Sequence, residues 1–138
     1  MKKCFAVMAV LSSLLFLMGM GSLGGPAPIE KIPVPEKNFN ARTIDREGIQ
    51  TSLSQVSFEG KVFLVGKRGD ATVTIPFEKI SHLDISGQQG NEVLSVVSLR
   101  SQEKIEVKVD KSSKFYGKAD FGTFQIECKD LTSISFQP

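Results

Sequence analysis

The sequence predicts an all-β protein: two tandem, duplicated five-stranded antiparallel units, either two small barrels or one β-sandwich, that follow an N-terminal signal helix. Three observations predict it. From Thr43 onward β-branched and aromatic residues dominate, and turn residues recur roughly every eight to twelve positions, the pattern of an all-β domain. Sliding the chain by 51 residues lays Gly66 on Gly117, Lys67 on Lys118, Thr72 on Thr123 and Ile75 on Ile126, with Leu83 on Ile134 and Ile85 on Phe136. No window of about eleven residues after the first segment carries a 3.6-residue apolar period.

Residues 1–24 read as an export signal. Lys2 and Lys3 supply the positive start, Phe5 to Met18 is an apolar run broken only by Ser12 and Ser13, and Gly19, Gly21, Ser22, Gly24 and Gly25 offer a cleavage region. The run is short for a bilayer span, which takes roughly 20 apolar residues, so cleavage is expected rather than retention as an anchor. Cys4 precedes the apolar run and cannot be a lipoprotein cysteine. Residues 25–42 contain Pro26, Pro28, Pro33 and Pro35, and read as an extended proline-rich linker.

Two β-repeats follow, at 43–86 and 92–138. In the first, Ile49 to Phe58 is expected as a strand broken near Ser54-Gln55, with Val56 and Phe58 inward and Ser57 and Glu59 facing water. Gly60-Lys61 turns the chain. Val62 to Val65 is apolar on both parities, and Lys67-Arg68-Gly69-Asp70 forms a hairpin tip. Thr72 to Phe77 alternates, burying Val73, Ile75 and Phe77. Pro76 cannot donate a ladder hydrogen bond and marks an edge or an end. Ile80 to Ile85 closes the unit, and Gly87 to Asn91 is a polar connector.

The second repeat opens with Val93 to Leu99 and turns at Ser101-Gln102. Ile105, Val107 and Val109 alternate with Glu106, Lys108 and Asp110, and this charged strand (Lys104 to Lys111) is expected to be a protected edge. Asp120-Phe121-Gly122 sits at the position of the first tip, and Thr123 to Cys128 buries Phe124, Ile126 and Cys128. Leu131 to Phe136 ends the chain. Each unit lies just above the roughly 40-residue limit below which disulfides, metals or partners are usually needed, and neither has a disulfide or metal, so the two are expected to lean on each other.

Five short strands bent in the middle resemble the small barrels of the Sm-like and SH3-like kind. The phrases GKRGDATVTIPFEKISHLDI and FYGKADFGTFQIECKDLTSISF are similar to those of short, uncharacterised exported bacterial β-proteins. That resemblance implies export and a β-fold, and it carries no activity and no site.

Charge excludes one class. The chain has 17 Lys and Arg against 15 Asp and Glu, and Lys2 and Lys3 account for the excess, so the remainder is balanced. Without a basic excess, nucleic-acid binding lacks its main electrostatic source.

Catalytic material is sparse. His82 is the sole histidine and its counterpart is Ser133; it reads as structural, and no serine occupies a Gly-x-Ser-x-Gly elbow. Cys128 aligns with Phe77 and reads as a buried thiol that behaves as a small hydrophobe. With Cys4 removed it has no disulfide partner, and one histidine with one thiol cannot build a zinc tetrad. Arg68-Gly69-Asp70 and Asp120-Phe121-Gly122 read as turns, and Gly60 to Lys67 lacks both the spacing and the hydroxyl of a P-loop. No catalytic, cofactor-binding or metal residue is assigned, and no cofactor is expected. The reading that results is a periplasmic or secreted, non-enzymatic binding or assembly module. It would take a protein partner in the bacterial envelope or form a homo-oligomer, and would keep no membrane anchor after cleavage. The alternative is a small hydrolase or accessory domain using Asp70, Asp120 and nearby residues at the two tips.

Overall fold

The computed structural model describes residues 32–138. The expected signal segment at 1–24 and the start of the proline-rich stretch lie outside the described residues. Ten strands occur in the order β1 (Ala41–Asp45), β2 (Gln50–Phe58), β3 (Phe63–Arg68), β4 (Ala71–Pro76), β5 (Ile80–Gln89), β6 (Glu92–Leu99), β7 (Lys104–Asp110), β8 (Lys114–Ala119), β9 (Gly122–Glu127) and β10 (Leu131–Phe136). Short 3-10 turns at Phe77–Lys79 and Cys128–Asp130 precede β5 and β10. All ten strands join one curled antiparallel sheet, a half-barrel, in the order β4-β3-β7-β6-β5-β10-β1-β2-β8-β9.

The strand bounds recur. β3, β4, the first 3-10 turn and the start of β5 become β8, β9, the second 3-10 turn and the start of β10 when 51 is added to each number. The first hairpin of each half follows a different offset. Thr43 pairs with Thr51 and Val97 with Ile105, so β1–β2 maps onto β6–β7 with an offset of 54. The turns agree as well: Gly48 and Gln102, 54 apart, both take positive φ (82° and 74°).

Strands do not pair only within their own repeat. The β3–β4 hairpin of the first lies against β7 of the second, while β8–β9 lies against β2. Two glycines make the crossing possible. A Cβ on Gly66 would stand 2.4 Å from Val107 Cγ1 and 2.6 Å from the Lys108 carbonyl oxygen, and one on Gly117 would stand 3.0 Å from Leu53 Cβ. Gly66 and Gly117 correspond at 51, and Leu53 and Val107 at 54. The glycine pair first seen as a sequence echo is where strands of the two halves touch.

The inward side chains form one continuous core that includes Leu53, Val56, Phe58, Leu64, Phe77, Leu83, Val97, Val107, Phe115 and Ile134. Phe77 packs edge-on against Phe39 at 5.6 Å and tilts against Phe136 at 4.6 Å, while Phe58 meets Phe115 at 5.1 Å. From the proline-rich stretch, Ile32 is buried, and the Asn38 side chain accepts a hydrogen bond from the Gln55 backbone N–H.

Several sequence expectations hold. The break near Ser54-Gln55 is a bulge with Gln55 at φ 51°, and Pro76 closes an outermost strand. Others are corrected. Ser57 is fully buried rather than solvent-facing: its neighbours Val56 and Phe58 are buried as well, so the end of β2, where Ser57 pairs with Tyr116, is covered on both faces. Gly87-Gln88-Gln89 is strand, not connector. A second register shift at Ile85/Gly87 lets β5 continue beside β6 as far as Gln89. The charged strand β7 is not an edge: it lies between β3 and β6, and its Lys and Glu side chains occupy the exposed face. Phe124 and Ile126 are only half-buried, because among the described residues β9 is an outermost strand paired with β8.

Candidate functional site on the central strand pair

The densest gathering of chemistry-bearing side chains lies where β5 pairs with β10. Their register sets Asp84 opposite Ser133, Leu83 opposite Ile134 and His82 opposite Ser135. Leu83 and Ile134 are buried, so the alternation of strand side chains sends His82, Asp84 and Ser135 to the opposite face. His82 Nδ1 stands 2.6 Å from Ser135 Oγ, and Nε2 stands 2.9 Å from Asp84 Oδ1. The imidazole thus bridges a carboxylate on its own strand and a hydroxyl on the next.

With Nε2–H donating to Asp84, Nδ1 is free to accept the Ser135 hydroxyl hydrogen. That is the acid–imidazole–hydroxyl order of an activated serine. Acyl transfer also needs preorganised donors for an oxyanion. Ser135 sits inside a strand paired on both sides, with β1 and with β5, so the ladder engages the surrounding backbone. The larger surface cavities are lined by other residues. His82 and Asp84 side chains remain 33% and 53% exposed, so this contact is made in solvent and contributes little to stability. What the array does by geometry alone is tie β5 to β10 across the middle of the sheet.

The other candidates are scattered. Cys128 is buried, and desolvation, aided by the negative charge of Glu59, raises its thiol pKa from the ordinary 9.0 to about 12. A thiol held so far from ionisation is not a nucleophile at neutral pH. Asp70 lies in the β3–β4 turn and Asp120 in the β8–β9 turn, on hairpins at opposite ends of the strand order. Arg68, Gly69 and Asp70 are exposed at the first tip, and Phe121 is exposed at the second, before Gly122 at φ 141°. Among the described residues, no three His, Cys, Asp or Glu side chains gather in a way that could hold a metal ion. No helix among them is long and apolar enough to cross a membrane.

Sequence reasoning singled out His82 and missed both of its partners. The 51-residue echo held the signal, since it lays His82 on Ser133 and Asp84 on Ser135; pairing the two closing strands with each other would have brought the four together.

A second repeated constellation was also missed. The Arg100 backbone N–H donates to the Lys79 carbonyl and its Nε–H to the Glu78 carbonyl, at 2.9 and 3.1 Å. Arg46, which is 54 residues earlier, donates in the same way to Asp130, at 3.1 Å, and through Nε to Lys129. Each arginine directly follows the first strand of one half and grips the 3-10 turn of the other.

A protein-family model described as "Uncharacterised protein" matches residues 35–138, a span that takes in all ten strands. The chain belongs to this family. The family's match begins six residues before β1, so it covers Asn38 and Phe39, the segment that packs on the β2 bulge and on Phe77. It also holds the central Asp84–His82–Ser135 array and both arginines. No curated protein matches the chain.

Proposed function

We propose that the chain is an exported, non-enzymatic binding or assembly module of the bacterial envelope, acting through β9, the outermost strand at one end of the sheet among the described residues. The observation that carries this reading is the difference between the two outermost strands. β4 ends in Pro76, which blunts its edge, whereas the corresponding position of β9 is Glu127 and no proline interrupts Gly122–Glu127. Beside that edge stand the exposed Phe121 and the half-buried Phe124 and Ile126. An extended partner segment adding to β9 would gain backbone hydrogen bonds and cover these apolar groups. The recurrence at 51 and 54 residues supports a duplicated ancestor of Sm-like five-stranded units that now share strands. Lys2, Lys3 and the apolar run that follows support export to the periplasm or beyond.

A photo-crosslinking side chain at Gln125, compared with one at Thr72 on β4, tests the edge in an envelope extract. A discrete adduct from position 125 alone is expected. It should disappear in a Phe124→Pro or Gln125→Pro variant that still melts cooperatively. Equal labelling from both edges would defeat the reading.

The Asp84–His82–Ser135 array favours a second reading, a small hydrolase or accessory domain, with this array rather than the two hairpin tips as its centre. A fluorophosphonate probe decides it: labelling of the protein that is lost in Ser135→Ala and in His82→Ala would support hydrolysis, and absence of labelling would remove it.

A further inference from the structure

The sheet carries two corresponding grooves, and only one of them is strongly charged. The first, about 330 Å³, opens where the β3–β4 hairpin diverges from β7, and Lys67, Arg68, Lys104 and Lys108 line it with Glu106 as the only acidic lining residue. The second, about 210 Å³, opens between β2 and β8, and its charged lining residues are Lys118 and Asp120. The register relates them: Lys67 to Lys118 and Gly69 to Asp120 at 51, Lys108 to Ser54 and Glu106 to Ser52 at 54. The fold therefore makes a groove in each half without requiring cations in either.

The cations of the first groove are not balanced from within. Lys67 and Lys108 are direct cross-strand partners, and like charges placed so are destabilising. Among the described residues no ion pair engages any of the four. That pair is also the sole register contact between β3 and β7, so Lys104, Ile105 and Glu106 have no in-register partner on β3. Positive charge thus borders a stretch of strand edge, with Leu94 and Ile105 adding apolar contact.

We propose that this groove binds an acidic peptide segment in extended conformation. Three of the four cations are lysines, which act as point charges on flexible stems and lack the fork that favours phosphate. The open strand edge offers backbone hydrogen-bonding groups that a peptide can use. This surface is separate from the β9 edge and stands whether or not that edge takes a partner.

Fluorescence anisotropy of a labelled hexaglutamate peptide, titrated with the protein at low ionic strength, tests the proposal. Binding is expected to weaken as salt screens it. The double variant Lys67→Gln/Lys108→Gln should bind about tenfold more weakly, which is about 1.4 kcal/mol, while Lys118→Gln in the corresponding groove leaves binding unchanged. The double variant loses a like-charge pair, so its melting temperature should equal or exceed that of the parent, which separates lost binding from lost folding. Absence of hexaglutamate binding would overturn the proposal, as would an equal loss in Lys118→Gln. Tighter binding of inorganic polyphosphate or of phosphatidylglycerol vesicles at the same groove would overturn it in favour of a phosphate ligand.

Discussion

Leu83 and Ile134 face each other across the pairing of β5 with β10, and they are also each other's counterparts at the 51-residue offset. On either side of them, Asp84 opposes Ser133 and His82 opposes Ser135, pairs that the same offset interchanges. The pseudo-twofold relation of the sheet therefore passes through this one residue pair. Both side chains are buried, and neither half can place its closing strand without the other.

Truncation at this point should be costly on both sides. Leu83→Ala and Ile134→Ala are each expected to lower stability by about 2–5 kcal/mol. Because the two are direct neighbours, the double variant should depart from additivity by at least about 0.5 kcal/mol. Urea unfolding of the four proteins measures this, and strict additivity would mean that the pair is not in contact in solution.

The second offset predicts a matched pair of losses. Arg46→Ala and Arg100→Ala each remove a side-chain hydrogen bond to a 3-10 carbonyl, and each should cost about 0.5–1.5 kcal/mol for that bond, with Arg100→Ala the larger because Arg100 also donates to the Gln137 carbonyl. Lysine lacks the Nε–H of the guanidinium, so Arg→Lys should recover little of the loss at either position. A large effect at one arginine and none at the other would break the correspondence.

How much of this was legible in the sequence follows from what repeats in side chains and what repeats only in backbone. The second hairpin of each half, with its 3-10 turn and closing strand, could be read because Gly66, Thr72, Ile75 and Leu83 have like counterparts and the alternation is clean. The first hairpin could not. Of its turn Asp45-Arg46-Glu47-Gly48, only the arginine reappears in Leu99-Arg100-Ser101-Gln102. Which strands neighbour one another was also hidden, since alternation sets the buried face of β7 but not whether β3 or solvent lies beside it. Ser57 went astray for a local reason: after the bulge at Gln55 the last three residues of β2, Val56, Ser57 and Phe58, are all buried, so alternation no longer sorts them into an inward and an outward face. The His82 site was half legible, as a lone imidazole whose partners depended on a cross-strand register.

The glycines at the crossing points should tolerate a methyl group unequally. At Gly66 an added Cβ meets a backbone oxygen at 2.6 Å as well as Val107, so the strands themselves must part. At Gly117 the nearest atoms it meets are those of the Leu53 side chain, the first at 3.0 Å, which can give by a few tenths of an ångström. Gly66→Ala is expected to cost about 1–3 kcal/mol or more and Gly117→Ala less, by the usual scale of overpacking. Val107→Ala should not restore Gly66→Ala, because the carbonyl stays in place. Thermal melts of the three variants check the order.

Cys128 gives a pH dependence of definite sign. Its folded-state pKa is raised, to about 12, because burial opposes the thiolate. The stability tied to the neutral thiol is therefore fully present below the unfolded value near 9.0 and is lost as pH rises toward 12. Cys128→Val should flatten the decline of the melting temperature over that alkaline window relative to the parent. In native protein at neutral pH, a bulky thiol reagent should react only after denaturant is added. Rapid labelling of the folded protein would place the thiol at the surface.

The most demanding prediction concerns the halves themselves. Residues 92–138 contain β6 to β10, but within that stretch β7 and β8 are not paired, and β10 finds its partners in β1 and β5. The same holds for the first half, where β3–β4 lies against β7 and β2 against β8. Each half alone would leave strand edges open, a glycine facing no partner strand, and an arginine without its 3-10 turn. At under 50 residues, neither has a disulfide to offset this. A fragment of residues 92–138 should therefore be unfolded by near-ultraviolet circular dichroism and show no cooperative melt. Opening the backbone at Gly90–Asn91, in the β5–β6 turn, should leave two pieces that regain the native spectrum only when mixed. Concentration dependence of that recovery is the readout, and a stable, cooperatively melting monomer from residues 92–138 alone would show that strand sharing is not what holds the sheet together.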